Sequence, residues 1–304
     1  MSKKFDVIGI GVSAVDILHI VEELPNDEGV QRSLADTIQG GGPIATAMVT
    51  LARLGARTAM VDVLGGDWRG DLILREFHHY GVSTEFIGIA EGHTSAIATI
   101  LVRQGDGARS IIFAPGSVPE LDTLPVVPEI VSSAKIVHLN GRHLKACLDA
   151  CAIAKESDVK ISFDGGAHRY RPELDELIAL SDICIIARNF AEEFTEKSDI
   201  DKAGVKILAN GPETAVITGG VDGSWVFTHG TSFHQQAFRA PEVVDTTGCG
   251  DCYHGAFLYG LVNGMNLRET ARFAAAAAAL NCRALGGRAA LPTIDEAREF
   301  LTGR

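Results

Sequence analysis

Apolar residues recur along this chain with two different periods. Phe5–Val12, Thr58–Leu64, Lys135–Leu139, Lys160–Asp164, Ile183–Ala187 and Ala215–Thr218 are short, largely β-branched runs that close at or near Gly, Asp or Asn. They read as strands buried on both faces, because a strand covered on both sides needs no polar alternation. Between them, Thr46–Leu54, Arg69–Tyr80, His143–Ser157 and Pro172–Leu180 place apolar residues at helical spacing, with Pro172 suited to a first helical turn. The alternation predicts an α/β fold: a mainly parallel sheet with helices on both faces.

Two stretches break the rhythm. Ile17–Thr37 is long and lacks helical phasing, and Thr94–Phe113 has the form of a hairpin, Ala96–Val102 and Ser110–Phe113 about a turn at Gly105-Asp106-Gly107. Together they predict a small β flap beside the main sheet, inserted from about 14–38 and 93–115. Phe227–Phe238 is again strand-like, and a Gly-rich turn at 248–250 is followed by two helices, the second using Ala274–Ala279 as a close-packing face. Neither an internal repeat nor a Pro/Ser-rich linker divides the sequence, so residues 1–304 read as one domain.

Charge narrows the partners. With 27 Lys+Arg against 39 Asp+Glu, the chain carries a formal charge of −12, which argues against general binding to nucleic acid or membrane surfaces. No uncharged apolar run reaches the roughly 18–20 residues of a membrane helix. The start of the chain resembles a secretory signal only faintly, since Asp6, Asp16 and glycines interrupt it. Six scattered cysteines (147, 151, 184, 249, 252 and 282) suggest reduced thiols and a cytoplasmic protein, not a disulfide framework.

Candidate chemistry concentrates in Val244-Asp245-Thr246-Thr247-Gly248-Cys249-Gly250-Asp251 and the apolar segment that follows. Glycines at 248 and 250 allow a turn whose N–H groups converge, and the N-terminus of the ensuing helix adds orphan donors and a partial positive charge. The combination suits a phosphate. A carboxylate at 251 inside an anion hole needs a reason: it is either a general base for an attacking hydroxyl or a helix cap, and the spacing alone does not choose.

The heptapeptide from Asp245 to Asp251, DTTGCGD, resembles the C-terminal signature of the ribokinase-type (PfkB) carbohydrate kinases, usually DTTGAGD. Gly41-Gly42-Pro43-Ile44-Ala45-Thr46-Ala47, then Ala52-Arg53-Leu54-Gly55, is similar to the family's N-terminal signature, with Thr46 where Asn is usual. The resemblance implies a ribokinase-like three-layer sandwich, ATP and Mg²⁺ as cofactors, a sugar as acceptor, and a homodimer formed through the lid. It assigns Asp251 as catalytic base, with Gly248, Cys249 and Gly250 as the anion hole. Asp16, Gly41, Gly42 and Thr46 would face the sugar. Asn189 and Glu192 would organise Mg²⁺ and its waters, and Asn189, Thr218, Gly220 and Asn281 would border ATP. Asp245 and Thr247 fall where many members bind a monovalent cation, which brings K⁺ into consideration.

Within the family, Gly40–Ala47, Asp245–Ala256 and Gly286–Pro292 look most like 6-deoxy-6-sulfofructose kinases. Arg142 matches that subgroup's sulfonate-facing Arg, although it can equally be a solvated strand-end residue. Val30 and Phe113 stand where the subgroup has Lys and Asn, leaving Arg32, Arg109 or His138 to supply the missing contacts. The acceptor is thus expected to be a ketohexose or an acidic or sulfonated sugar, with ribose, ketodeoxygluconate and nucleosides as alternatives.

Other signals are weaker. Gly9-Ile10-Gly11-Val12-Ser13-Ala14 imitates a dinucleotide-binding fingerprint, but no helical phasing follows. Cys249, Cys252 and His254 offer three metal ligands within six residues, without the second pair that a zinc site uses. No P-loop motif occurs. A non-catalytic sugar sensor would not need Asp251 together with Asn189 and Glu192.

Overall fold

The computed structural model describes residues 3–121 and 128–303. Its strands are β1 (Phe5–Ile10), β2 (Ala14–Val21), β3 (Ala35–Gly41), β4 (Thr58–Gly65), β5 (Ser83–Ala90), β6 (Ala96–Arg103), β7 (Arg109–Ala114), β8 (Ala134–Leu139), β9 (Lys160–Gly165), β10 (Ile183–Ala187), β11 (Thr214–Thr218), β12 (Ser224–Thr228) and β13 (Ser232–Gln235). Its helices are α1 (Pro43–Arg53), α2 (Trp68–Tyr80), α3 (Pro128–Ser132), α4 (Leu144–Glu156), α5 (Asp175–Leu180), α6 (Arg188–Thr195), α7 (Ile200–Ala209), α8 (Cys249–Val262), α9 (Leu267–Asn281) and α10 (Ile294–Thr302).

The main sheet runs β13-β12-β11-β10-β9-β8-β1-β4-β5. It is parallel from β11 to β5, and only the β12–β13 hairpin at one edge is antiparallel. Successive strand residues feed opposite cores, as the pleat requires. Val7, Met60, Ile136 and Val216 pack against α1, α2, α8, α9 and α10. Ile8, Val61, Val137 and Ala215 pack against α3 to α7. This is the three-layer arrangement that the doubly apolar strands predicted. No helix among the described residues is long and apolar enough to cross a membrane.

A second sheet, β3-β2-β6-β7, forms the flap. Its central pair β2–β6 is parallel and its outer pairs are antiparallel. The β6–β7 turn is held by an Arg103–Asp106 ion pair at 2.6 Å. The flap extends slightly past its predicted limit, because β3 continues to Gly41 and delivers the chain directly into α1.

Three expectations need correction. Phe227–Phe238 is not one strand: it breaks at 229–231, where the Thr228 hydroxyl accepts N–H bonds from Gly230 and Thr231 and closes a hairpin. The Pro172 segment begins as a single 3-10 turn, Pro172–Leu174, before α5. Strand β5 went unrecognised because it is a half-buried edge with a polar start, supported on one side only by β4. The glycines of the false dinucleotide fingerprint have a packing role. A Cβ at Gly9 or Gly11 would come within 2.7 Å of Ile44, so their absence of side chains lets α1 lie close on β1.

Candidate active site

Helices α8 and α9 form an antiparallel pair joined by residues 263–266, and the loop leading into α8 is tied to the far end of that pair. Val244 and Asp245 donate their N–H groups to the Cys282 carbonyl at 2.9 and 3.3 Å. Asp245 is fully buried, and its two oxygens organise the turn: one accepts the Thr247 N–H and hydroxyl, both at 2.8 Å, and the other accepts the Gly286 N–H at 2.8 Å. Gly248 caps α8 at φ 70°, a left-handed conformation that disfavours a side chain. The Cys249 N–H turns back to the Thr246 carbonyl at 3.3 Å, whereas those of Gly248, Gly250 and Asp251 have no acceptor among the described residues.

Asp251 is the third residue of α8, and no side chain caps this helix. The Asp251 carboxylate makes no hydrogen bond within the described residues, so the cap reading fails. Burial pushes its pKa above the ordinary carboxylate range, and the nearby Asp164 charge adds to this, against partial relief from Arg169, His254 and Arg109. One turn further on, His254 meets His138 of β8 and Asp164 of β9, with ligand atoms of all three within 4.8 Å of one another. His138 Nδ1 lies 3.1 Å from the Ser162 hydroxyl, and His254 Nε2 lies 3.9 Å from Asp164 Oδ1. Burial lowers His138 to about 3 and His254 to about 4, so both imidazoles are neutral near pH 7. His138 is thus no cationic partner for a sulfonate.

The other wall comes from the flap. Asp16 on β2 faces Gly41 so closely that a Cβ at Gly41 would strike its carboxylate. Gly42, at φ 94°, caps α1 where a Cβ would meet the Val12 carbonyl. Burial raises the Asp16 pKa to about 6, opposed by Arg288 and reinforced by the charges of Asp251, Glu76 and Asp245. Asp16 and Asp251 therefore sense one another, which places the two signatures side by side. Thr46 is buried on α1 and is already engaged: its hydroxyl accepts a bond from Arg288 Nε at 3.2 Å.

The remaining expected residues lie at the ends of β8, β10, β11 and α9. Asn189 and Glu192 lie in the first turns of α6, directly after β10, and the Asn189 side chain accepts the Phe190 N–H at 2.9 Å. Glu192 has no ion-pair partner among the described residues, which leaves a hard oxygen donor of the kind Mg²⁺ prefers. Thr218 ends β11 with its hydroxyl 3.4 Å from the Ile186 carbonyl, and Gly220 turns the chain at φ 60°. Asn281 ends α9. It is fully buried, and its amide donates to the Gly287 carbonyl at 3.1 Å, bracing the 286–288 loop. Arg142 lies 3.7 Å from Glu120, so its guanidinium is partly answered within the chain.

Three contributors escaped the sequence reading of the site. Arg288, 2% exposed, donates to Glu76 at 2.9 Å, the Gly41 carbonyl at 3.0 Å and Thr46, and joins the C-terminal loop to the N-terminal signature. Arg109, named only as one possible sulfonate contact, reaches from β7 to the Thr246 hydroxyl at 2.7 Å and fastens the flap to the anion-hole loop. Arg169, in the loop after β9, contributes positive charge to Asp251. The Gly-Gly-Arg run was a visible signal for Arg288. Nothing local marked Arg109 or Arg169, because their relevance depends on sheet order.

Comparison with known proteins agrees with this geometry. The model of the pfkB family of carbohydrate kinases matches residues 3–294. The 5-dehydro-2-deoxygluconokinase of Halalkalibacterium halodurans is 27% identical over 97% of this chain and 93% of its own length. The ribokinase of Haemophilus influenzae is 29% identical over 86% and 87%, respectively. The structure of Arabidopsis thaliana ribokinase complexed with ribose and ATP superposes with a TM-score of 0.86 at 26% identity, covering 99% of both chains. With both signatures side by side and the family pattern spanning residues 3–294, the chain belongs to the pfkB family of carbohydrate kinases, phosphotransferases with an alcohol group as acceptor.

Proposed function

We propose that this enzyme transfers the γ-phosphoryl group of ATP to a hydroxyl of a ketohexose or an acidic or sulfonated sugar, with Asp251 as the general base. The observation that carries the reading is a partly buried carboxylate at the third position of α8, free of any capping bond, beside unused backbone amides and within electrostatic range of Asp16. Asp251 takes the proton from the attacking hydroxyl, and its raised pKa makes it a stronger base than an exposed carboxylate. The Gly250 and Asp251 amides and the positive end of α8 receive the negative phosphoryl oxygens. Asp16 accepts hydrogen bonds from sugar hydroxyls, which the bare Gly41 allows to approach. The Arg109–Thr246 bond holds the flap across the cleft and excludes water as a competing acceptor. Mg²⁺, when bound, neutralises charge between the phosphates, and Asn189 and Glu192 are the oxygen donors that would hold its waters.

An acidic acceptor is favoured by Arg109 and Arg169, the two arginines close enough to Asp251 to influence its proton. The relative from Halalkalibacterium halodurans, a 5-dehydro-2-deoxygluconokinase named for a keto sugar acid, points the same way. An ADP-release assay over fructose, 6-deoxy-6-sulfofructose, 5-dehydro-2-deoxygluconate, ketodeoxygluconate, ribose and nucleosides, with and without potassium, tests the proposal. Highest kcat/KM on a keto sugar acid or sulfonated ketose supports it, while preference for ribose or a nucleoside contradicts the acceptor class. No turnover on any acceptor contradicts catalysis and favours a sensor. Pairing of two chains through the flap is part of the same reading, since Ile38, Ile111, Ile112 and Phe113 are all at least half exposed. Light scattering that gives a monomer mass at micromolar concentration would exclude it.

A further inference from the structure

The αα-hairpin has a chemical consequence at its open end. Helices α8 and α9 contain 14 and 15 residues, so the first residue of α8 and the residue after α9 return to the same level. Both are cysteines. Cys249 Sγ and Cys282 Sγ lie 3.1 Å apart, and both residues are partly exposed, whereas Cys147, Cys151, Cys184 and Cys252 are buried. A disulfide has an S–S distance of about 2.05 Å, so the remaining approach is about 1 Å.

We propose that Cys249 and Cys282 form a modification site, at which a peroxide reversibly oxidises the pair to a disulfide and switches off phosphate binding at the head of α8. The two residues bracket the anion-hole loop. Cys249 opens the helix whose next two amides face the phosphate, and the Cys282 carbonyl receives the Val244 and Asp245 N–H groups that begin the loop. A bond between their side chains changes both anchors together.

The contact also lets the two thiols act as a pair. Either sulfur can donate its proton to the other across the 3.1 Å contact, so one thiol attacks as the thiolate and its neighbour resolves. The attacking sulfur takes one peroxide oxygen, the O–O bond breaks, and the departing oxygen leaves as water after taking up a proton. The resulting sulfenic acid is attacked by the second sulfur, which loses its proton, and the S–O bond breaks to release a second water. Two thiols and one hydrogen peroxide thus give one disulfide and two waters. A dithiol reductant returns both hydrogens and is itself oxidised to a disulfide.

The effect on activity rests on the proposed phosphate site, but formation of the bond does not. The test treats the full chain with hydrogen peroxide and maps peptides without reduction. The expected result is a Cys249–Cys282 cross-linked peptide, whose yield tracks an activity loss of at least about tenfold that dithiothreitol reverses and prior ATP binding slows. Cys282→Ala and Cys282→Ser keep basal turnover and lose the reversible inactivation. Absence of the linked peptide at full inactivation overturns the proposal, as does reversible inactivation of the Cys282 variants at the wild-type rate. Full activity of the cross-linked protein overturns the switch. If the chain phosphorylated no acceptor but still formed the bridge, the functional reading would fall and the modification site would stand.

Discussion

Replacing Arg288 with Met isolates the residue that ties the two signatures together. Methionine keeps a long apolar stem and removes the guanidinium, leaving two buried acceptors, the Gly41 carbonyl and the Thr46 hydroxyl, without the donors now 3.0 and 3.2 Å away. Each stranded acceptor costs about 1–3 kcal/mol. Glu76 loses its 2.9 Å partner as well, but its side chain is 23% exposed and can rehydrate, so its share is discounted to about 1 kcal/mol or less. The sum is about 2–7 kcal/mol, and its middle, about 3–5 kcal/mol, is in line with removing one member of a buried ion pair. For a protein of this size that corresponds to a fall of roughly 6–20 °C in thermal midpoint. Differential scanning calorimetry at pH 7 measures it. Gly40→Ala provides a companion, because a Cβ there would strike the same guanidinium and the loss should not add fully to that of Arg288→Met. A fall of less than about 2 °C in Arg288→Met would refute the argument that this arginine bears structural load.

Four further outcomes follow. Asp16 has a pKa raised to about 6, so its deprotonation costs the folded state stability as pH rises from near 4 through 6. Asp16→Asn should then raise the thermal midpoint at pH 8, be neutral at pH 4, and raise the sugar KM at least tenfold; a lowered midpoint at pH 8 would contradict this. For the wild type, the sugar KM should increase as pH drops below about 6, which initial-rate measurements across pH 5–8 would reveal. Asp164→Asn removes a negative charge that raises the Asp251 pKa, so the acid limb of kcat/KM should move to lower pH; an unmoved limb would remove Asp164 from the account. Arg109→Ala frees the flap from Thr246 and should increase ATP hydrolysis without sugar relative to sugar phosphorylation, by roughly tenfold in the ratio of the two rates.

The strands of the body were legible because each is apolar on both faces, and a pattern that simple survives without tertiary knowledge. Lys160–Gly165 and Ile183–Ala187 lie where the runs of apolar residues placed them. The β5 edge was not legible, since one-sided pairing relaxes the demand for apolar residues. The division of Phe227–Phe238 depended on one threonine hydroxyl closing a turn, a local bond that hydrophobicity does not register. At the site, DTTGCGD marked its loop, but its division of labour was hidden. Asp245 accepts the Gly286 N–H, and Asn281 donates to the Gly287 carbonyl. Both depend on the 286–288 loop returning beside residue 248, a long-range contact that spacing cannot express. The proximity of Cys249 and Cys282 follows from two helices of nearly equal length, and so was latent in the sequence once those lengths were known.

The account turns on the proton that leaves the acceptor alcohol. Asp251→Asn conserves shape, removes the base and leaves both amides in place, so single-turnover phosphorylation of the best acceptor is the most direct measurement. The expected result is a loss of about 10²–10⁴ in rate, with ATP affinity preserved and the thermal midpoint unchanged or higher. A rate within about threefold of wild type, in a folded variant, would show that the alcohol loses its proton elsewhere.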